Sequence, residues 1–148
     1  MIDRANRDIA ARVLRDFAEG LSTNDDFERQ FPRQSDDPGL AAIKANVWAL
    51  YSDLHQHRLT GVHTPTRPVK ALLERCVLFL ESDVAFEWPV PTIRLSNLTD
   101  ALVSRVRRAF TRSTRGEDPQ TSAGDEDVWP FFRSDDYDAC ATRVRDGH

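Results

Sequence analysis

Residues 37–61 read DPGLAAIKANVWALYSDLHQHRLTG and contain the clearest helix signals in the chain. Asp37 is a favourable N-cap, and Pro38 suits the first helical position, where a missing N–H has no partner to lose. The apolar residues that follow recur at helical spacing and form one stripe: Leu40, Ile43, Val47, Leu50, Tyr51 and Leu54. This stretch predicts an amphipathic helix that ends near Leu59, with Gly61 just beyond it.

The residues before this helix predict two further helical elements. Asp3 can cap a helix with an apolar residue at every fourth position, and Gly20 can end it in a left-handed conformation. The apolar stripe of this first helix consists of Ile9, Val13, Phe17 and Leu21. A short turn of helix over residues 24–30 then places Phe27 and Phe31 on one face.

The residues after it predict two long helices separated by an extended connector. Two prolines within residues 64–68 fit only the first turn of a helix, which continues to Leu80 with the wide apolar coverage of a buried element. Alternating apolar residues and two more prolines then predict an extended connector over residues 83–95 that packs Phe86 and Trp88 on the core. Another helix begins after the connector, with Ser96 or Asn97 as its cap, and its inner face consists of Leu98, Leu102, Val106, Ala109 and Phe110.

The last third of the chain changes character. Residues 113–127 are rich in Ser, Thr, Gly, Pro and acids and predict a flexible loop. Three aromatic residues follow in the run 128–132, and Ser134 can cap a short last helix with Tyr137, Cys140, Ala141 and Val144 facing inward. Residues 128–148 therefore predict a tail that docks on the body.

Together these patterns predict one all-α domain over residues 1–148, a bundle of about five helices with an extended connector. The 148 residues are enough to bury a core. We expect the core to contain Val47, Leu50, Leu54, Leu72, Cys76, Phe79, Leu102 and Val106.

Composition narrows the classes of function. The formal net charge of −4 gives no overall attraction to nucleic acid or anionic lipid. No apolar run has the length of a signal peptide core or a membrane span, and two distant cysteines make no disulfide framework. We therefore expect a cytoplasmic protein that does not bind membranes. Known motifs for serine nucleophiles, phosphate-binding loops and zinc proteases are absent, and no cofactor is expected.

Three histidines lie close together in the sequence. Imidazole is a common transition-metal ligand, so His55, His57 and His63 raise the question of a metal site. Residues two apart on a helix point to different sides, so His55 and His57 cannot chelate one ion while this segment is helical. A metal would require the helix to unwind, and we expect a polar helix end without metal.

A different combination on the same predicted helix is a better candidate for binding. Trp48, Tyr51 and His55 are spaced at i, i+3 and i+7, which places them on one helix edge. We expect Phe86 and Trp88 of the connector to pack around this edge. The five side chains would form an aromatic surface for a partner or ligand, with one ionisable group. The competing interpretation is that the aromatic residues complete the core and His55 is solvated.

A basic stripe offers a further alternative. Arg105, Arg108, Arg112 and Arg115 share one face of a predicted helix and could follow a phosphate backbone. Acidic residues follow the stripe at once and can neutralise it.

The sequence therefore favours a non-catalytic protein that acts through another protein, as an adaptor or an immunity-type protein of bacterial kind. The first alternative is a small-molecule-binding domain or enzyme with a pocket around Trp48, Tyr51 and His55. The second is nucleic-acid binding through the arginine stripe. The stretch CVLFLESDVAFEWP at residues 76–89 identifies no family.

Overall fold

The structure, a computed structural model, describes residues 1–51, 54–89 and 124–147. Within these ranges the chain contains α-helices and no β-strand, which confirms the predicted all-α class. The five helices of the described ranges are α1 (Arg4–Ala18), α2 (Asn24–Gln30), α3 (Pro38–Trp48), α4 (Arg67–Glu81) and α5 (Ser134–Arg145), and Gly61–His63 and Glu126–Val128 form short 3₁₀ turns. None of these described helices combines the length and hydrophobicity that crossing a bilayer requires.

Helices α1 and α4 form the centre of the packing. They lie against each other, α2 packs on α1, and both α3 and α5 contact α4. A single apolar core runs through these contacts, and its most deeply buried large side chains include Leu14, Phe17, Phe27, Phe31, Ile43, Val47, Leu73, Phe79, Leu80 and Phe131. The aromatic residues of α2 and of the tail are thus part of one core.

The buried face of α1 differs from the predicted stripe. Ile9 is 40% exposed and Leu21 is 62% exposed, so only the middle of that stripe faces the core. Four residues advance a helix by about 40° more than one full turn, so a strict i+4 repeat winds away from the core side. The observed face follows the mixed three- and four-residue spacing and consists of Arg7, Ala10, Ala11, Val13, Leu14 and Phe17.

The end of α1 matches the prediction. Gly20 has a φ of +72°, the left-handed conformation that glycine adopts without strain. Its N–H donates to the carbonyl of Phe17 at 3.0 Å, and the N–H of Leu21 donates to the carbonyl of Asp16 at 2.8 Å. These two bonds satisfy carbonyls that have no partner within the helix.

A buried ion pair fixes α1 against α3 and α4. The guanidinium of Arg7 donates from Nε to Asp37 Oδ2 at 2.6 Å, and both side chains are almost fully buried, at 0% and 1% exposed. Arg7 also donates to the carbonyls of Ser82 and Val84 just after α4, at 3.1 and 2.8 Å. Its charge lies 4.7 Å from the ring centre of Phe79. Arg7 thereby connects three segments that are distant in sequence.

Asp37 also has the predicted role of N-cap for α3. Its carboxylate accepts from the N–H of Gly39 at 3.0 Å and from the N–H of Asp3 at 3.1 Å. Burial of this carboxylate raises its pKa, but the hydrogen bonds from Arg7 and Asp3 outweigh burial and leave the pKa below its ordinary value. The sequence signal for the cap was therefore correct, whereas the ion pair had no sequence signal.

The connector and the tail pack on each other. Residues 83–89 form neither helix nor strand, with a bend at Trp88, which is 8% exposed, and the rest of the connector predicted over residues 83–95 lies outside the described residues. The indole Nε1–H of Trp88 donates to the carbonyl of Phe131 at 3.1 Å, and its ring meets that of Phe132 edge to face. The Trp129–Pro130 peptide bond in this tail is cis. The aromatic run therefore docks as the sequence predicts.

The ordered tail begins earlier than expected. The Asp125 N–H donates to the carbonyl of Phe132 at 2.9 Å, and Ser134 Oγ donates to the Asp125 carboxylate. Residues 124–127 of the predicted flexible loop thus have a defined structure, and the rest of that loop lies outside the described residues. Ser134 is the first residue of α5 and not its cap, because its hydroxyl is bound to Asp125.

Two core predictions are wrong, and others cannot be compared. Leu54 is 80% exposed and Val144 is 61% exposed. Among the other expected core residues, Val47, Cys76 and Phe79 are buried, while Leu50 and Leu72 are partly buried. The helix predicted to begin at Ser96 or Asn97, with Leu102 and Val106, lies outside the described residues. That the chain forms a single domain stays a prediction.

Candidate functional site

Helix α3 ends at Trp48, eleven residues before the predicted end near Leu59. The apolar spacing continues to Leu54, so the local pattern alone does not explain the early end. Tertiary contacts do. Leu50 and Tyr51 turn into the core beside Phe17, and the backbone farther along bonds to α2 instead of continuing the helix.

Asn24 holds this non-helical segment in place. Its N–H donates to the carbonyl of His57 at 3.0 Å, and its Oδ1 accepts from the N–H of His57 at 2.8 Å. Its side-chain Nδ2 also donates to the carbonyl of His55 at 3.2 Å. Asn24 is 2% exposed, and its bond with the N–H of His57 is buried, so it satisfies a backbone group that would otherwise be costly to bury, whereas the bond to the carbonyl of His55 is partly buried. The segment 55–57 is therefore fixed against the start of α2.

A pocket of about 260 Å³ lies between this segment, α1 and α4. Its inner wall includes Phe17 and Leu73, which are both 1% exposed. Val62, which is 95% exposed, marks the side open to solvent. The complete lining consists of Phe17, Leu50, Tyr51, His57, Leu59, Val62, His63, Thr64, Pro65, Thr66, Val69 and Leu73. The exposed lining is thus mixed, only slightly more apolar than polar, and its apolar inner wall with placed polar groups resembles a small-ligand site.

His57 is the buried titratable group of this pocket, at 9% exposed. Its Nδ1 lies 2.8 Å from the carbonyl oxygen of His55. A carbonyl only accepts, so Nδ1 carries a proton and donates. The ring lies edge to face with Tyr51, at 6.1 Å between centroids, and is stacked on His63 at 4.2 Å. These contacts fix the orientation of the imidazole.

Tyr51 forms a second wall of the pocket. Its ring packs edge to face on Phe17 at 5.3 Å and on Phe27 at 6.2 Å. Its hydroxyl donates to Glu28 Oε1 at 3.0 Å. The ring is therefore anchored both in the core and at α2, and it offers mainly an apolar surface to the pocket.

The histidines do not form a metal site within the described residues. His57 and His63 do come together, because this segment does not form the helix that the sequence predicted. However, their planes are only 28° apart, so their lone pairs lie in two nearly parallel planes and do not converge on one ion. His55 is exposed. In the described part of the chain, no group of three or more metal-ligating side chains is arranged to hold an ion.

The structure does not bring the five predicted site residues together. Tyr51 lines the pocket, whereas Trp48, at 45% exposed, and the exposed His55 do not. Phe86 packs on Phe79, and Trp88 packs on the tail. The expectation that the connector surrounds the α3 edge is wrong, because the tail aromatics occupy the connector instead.

The other alternative cannot be compared with the structure. Arg105, Arg108, Arg112 and Arg115 lie outside the described residues. Sequence reasoning also missed the importance of His57, since that residue was considered only as a metal ligand. No sequence signal pairs Asn24 with this segment, 33 residues away.

Comparison of the chain with protein-family models, with curated proteins and with solved structures gave no match. The pocket and its residues are therefore the observations from which a function can be inferred.

Proposed function

We propose that this protein is a non-catalytic binding protein whose site is the pocket lined by Phe17, Tyr51, His57 and Leu73. The observation that supports it is a pocket with an apolar inner wall and one oriented, buried imidazole beside that wall. Such a combination of apolar walls and a few placed polar groups is characteristic of ligand sites. Within the described lining, Tyr51 is bound to Glu28 and packed in the core, and neither histidine is hydrogen-bonded to a hydroxyl or a thiol, which favours binding over nucleophilic catalysis.

The size of the pocket limits what it can hold. An apolar cavity of roughly 150 Å³ accepts a benzene molecule, and sites for drug-sized ligands begin at roughly 300 Å³. At about 260 Å³, this pocket lies between these two classes. It suits one six-membered ring with one or two small substituents.

A second candidate function is the protein–protein interaction that the sequence favours. The observation in its favour is the exposure of three apolar side chains in and near the segment that covers the pocket. Trp48 is 45% exposed, Leu54 is 80% exposed and Val62 is 95% exposed. Exposed aromatic and aliphatic side chains can act as anchors for a partner protein. Adaptor or immunity-type activity belongs to this candidate.

Toluene binding tests the proposed site, because toluene has the right size and no polar group. A two-dimensional amide NMR titration should show saturable shifts for pocket residues of the wild-type protein. Val69→Phe adds volume in the pocket wall and should abolish these shifts. Val144→Phe makes the same change at a residue that is 61% exposed on α5, so it should bind toluene like the wild type.

Absence of saturable shifts in the wild type would overturn the proposed function. So would equal binding by the wild type and Val69→Phe, since toluene would then bind elsewhere. The amide spectra of both variants also report whether each one is folded.

A further inference from the structure

We infer that the pocket selects an aromatic ligand that carries a hydrogen-bond donor, such as a phenol. His57 Nε2 accepts the hydrogen bond from this donor. This inference rests on the proposed function and assigns a ligand class to the same pocket. The relevant observations are the fixed tautomer of His57, its burial, and the state of the other polar lining residues. Tyr51 is bound to Glu28, and Thr64 and Thr66 are exposed.

The tautomer follows from a single hydrogen bond. Because His57 Nδ1 donates to the carbonyl of His55 at 2.8 Å, the neutral ring has its lone pair on Nε2. The backbone bonds between Asn24 and His57 keep this geometry in place. The ring cannot turn over without losing the Nδ1 bond, so the acceptor position is built into the wall.

Within the described residues, Nε2 of His57 has no hydrogen-bond partner, although the side chain is more than nine-tenths buried. The atom is open to water in the pocket, because Ser22 Oγ is the one fully buried side-chain atom without a partner in the described residues. A ligand that fills the pocket without a donor would remove this water and leave Nε2 unpaired, which is costly, whereas a donor would replace the water. The Tyr51 hydroxyl is bound to Glu28 at 3.0 Å, and Thr64 and Thr66 are exposed. His57 is therefore the inner polar group that can distinguish one ring from another.

Three probe molecules of nearly equal size test this selection: p-cresol, toluene and p-fluorotoluene. If the ring accepts at Nε2, p-cresol should bind the wild type about two- to tenfold more tightly than toluene. p-Fluorotoluene carries fluorine at the ring position of the p-cresol hydroxyl. Fluorine cannot donate a hydrogen bond, so p-fluorotoluene should bind like toluene. Equal affinities for p-cresol and toluene would refute the inference while leaving the proposed function intact. Failure of all three probes to bind would refute both.

His57→Phe is the matching variant, since it keeps a ring and removes the acceptor. It should bind toluene as before and lose the preference for p-cresol. His55→Phe makes the same change at an exposed residue outside the pocket and should keep the preference. A preference for p-cresol that persists in folded His57→Phe would overturn the role of His57.

A spectroscopic measurement covers the case in which His57→Phe does not fold. Long-range ¹H–¹⁵N spectra of the wild type distinguish a protonated ring nitrogen from an unprotonated one. We expect Nε2 of His57 to be the nitrogen without a proton in the neutral ring and to shift upfield when p-cresol binds. A protonated Nε2 in the free protein, or no shift at saturation, would contradict the inference.

The phenol group has two natural sources, a free small molecule and a tyrosine side chain of a partner protein. N-acetyl-tyrosine amide distinguishes them, because it carries the same phenol with flanking peptide groups. Binding as tight as that of p-cresol assigns the pocket to a partner's tyrosine. Binding of p-cresol alone assigns it to a free phenol, and either outcome supports the ligand class.

Discussion

Replacing Asp37 with Ala should destabilise the protein strongly, because Arg7 would be left buried without its counter-charge. Arg7 is 0% exposed, and of its described partners only Asp37 carries a negative charge. Removing one member of a buried pair costs about 3–5 kcal/mol. Loss of the α3 cap, worth about 1 kcal/mol by itself, is part of the same perturbation. For a chain of 148 residues, this corresponds to a fall in Tm of roughly 6–20 °C.

Thermal and urea unfolding, followed by circular dichroism, measure this effect. Asp36→Ala is the matched control, since Asp36 is the adjacent acidic residue and is exposed. It should change the free energy of unfolding by no more than about 0.5 kcal/mol. The double variant Arg7→Met with Asp37→Asn should recover part of the loss, because no unpaired charge remains. If Asp37→Ala and Asp36→Ala are equally stable, the ion pair does not hold α1, α3 and α4 together.

Three further predictions follow from named contacts. Because the pKa of Asp37 is lower when folded than the value of about 3.9 expected when unfolded, its stabilisation is complete above that pH and is lost as pH falls through the folded pKa. The Tm gap between the wild type and Asp37→Asn should therefore narrow between pH 7 and about pH 3, and a constant gap would contradict this. Trp88→Phe should cost about 1–3 kcal/mol, since the carbonyl that accepts its Nε1–H becomes unpaired, while Trp48→Phe should cost no more than about 0.5 kcal/mol; equal costs would place Trp88 outside the core. Burial raises the pKa of Cys76 to about 12, so thiol labelling followed by mass spectrometry should leave Cys76 unmodified until the protein unfolds, and rapid labelling of native protein would be inconsistent with its burial.

The sequence predicts what local chemistry decides. Asp37 caps α3, Gly20 ends α1 in a left-handed conformation, and the alternating residues before Pro89 lie outside helices and strands. Each of these features depends on residues close together in the chain. Propensity, capping and the period of the apolar residues are therefore sufficient to predict them.

The sequence does not predict what distant contacts decide. The helical pattern of α3 continues for several residues past Trp48, but the packing of Tyr51 and the bonds from Asn24 divert the chain. That diversion creates the pocket and moves His55 away from it. The partner of Arg7 lies 30 residues away, and no periodicity identifies it.

The same limit applies to the candidate site. Of the five residues selected from the sequence, Tyr51 alone lines the pocket. The helical spacing that grouped it with Trp48 and His55 does not exist in the folded chain. By contrast, His57 becomes a candidate binding residue only in the folded chain, where it contacts Asn24, His55 and His63. Its role depends on tertiary structure and not on a motif.

The most direct test of the account is to locate p-cresol on the wild-type protein by intermolecular nuclear Overhauser effects. We predict contacts from the ring and methyl protons of p-cresol to the side chains of Phe17, Val69 and Leu73, which line the pocket. The His57 ring should contact the protons adjacent to the hydroxyl. Contacts confined to exposed side chains such as Leu54 or Val144, or no contacts at saturating p-cresol, would contradict the assignment of the pocket as the binding site.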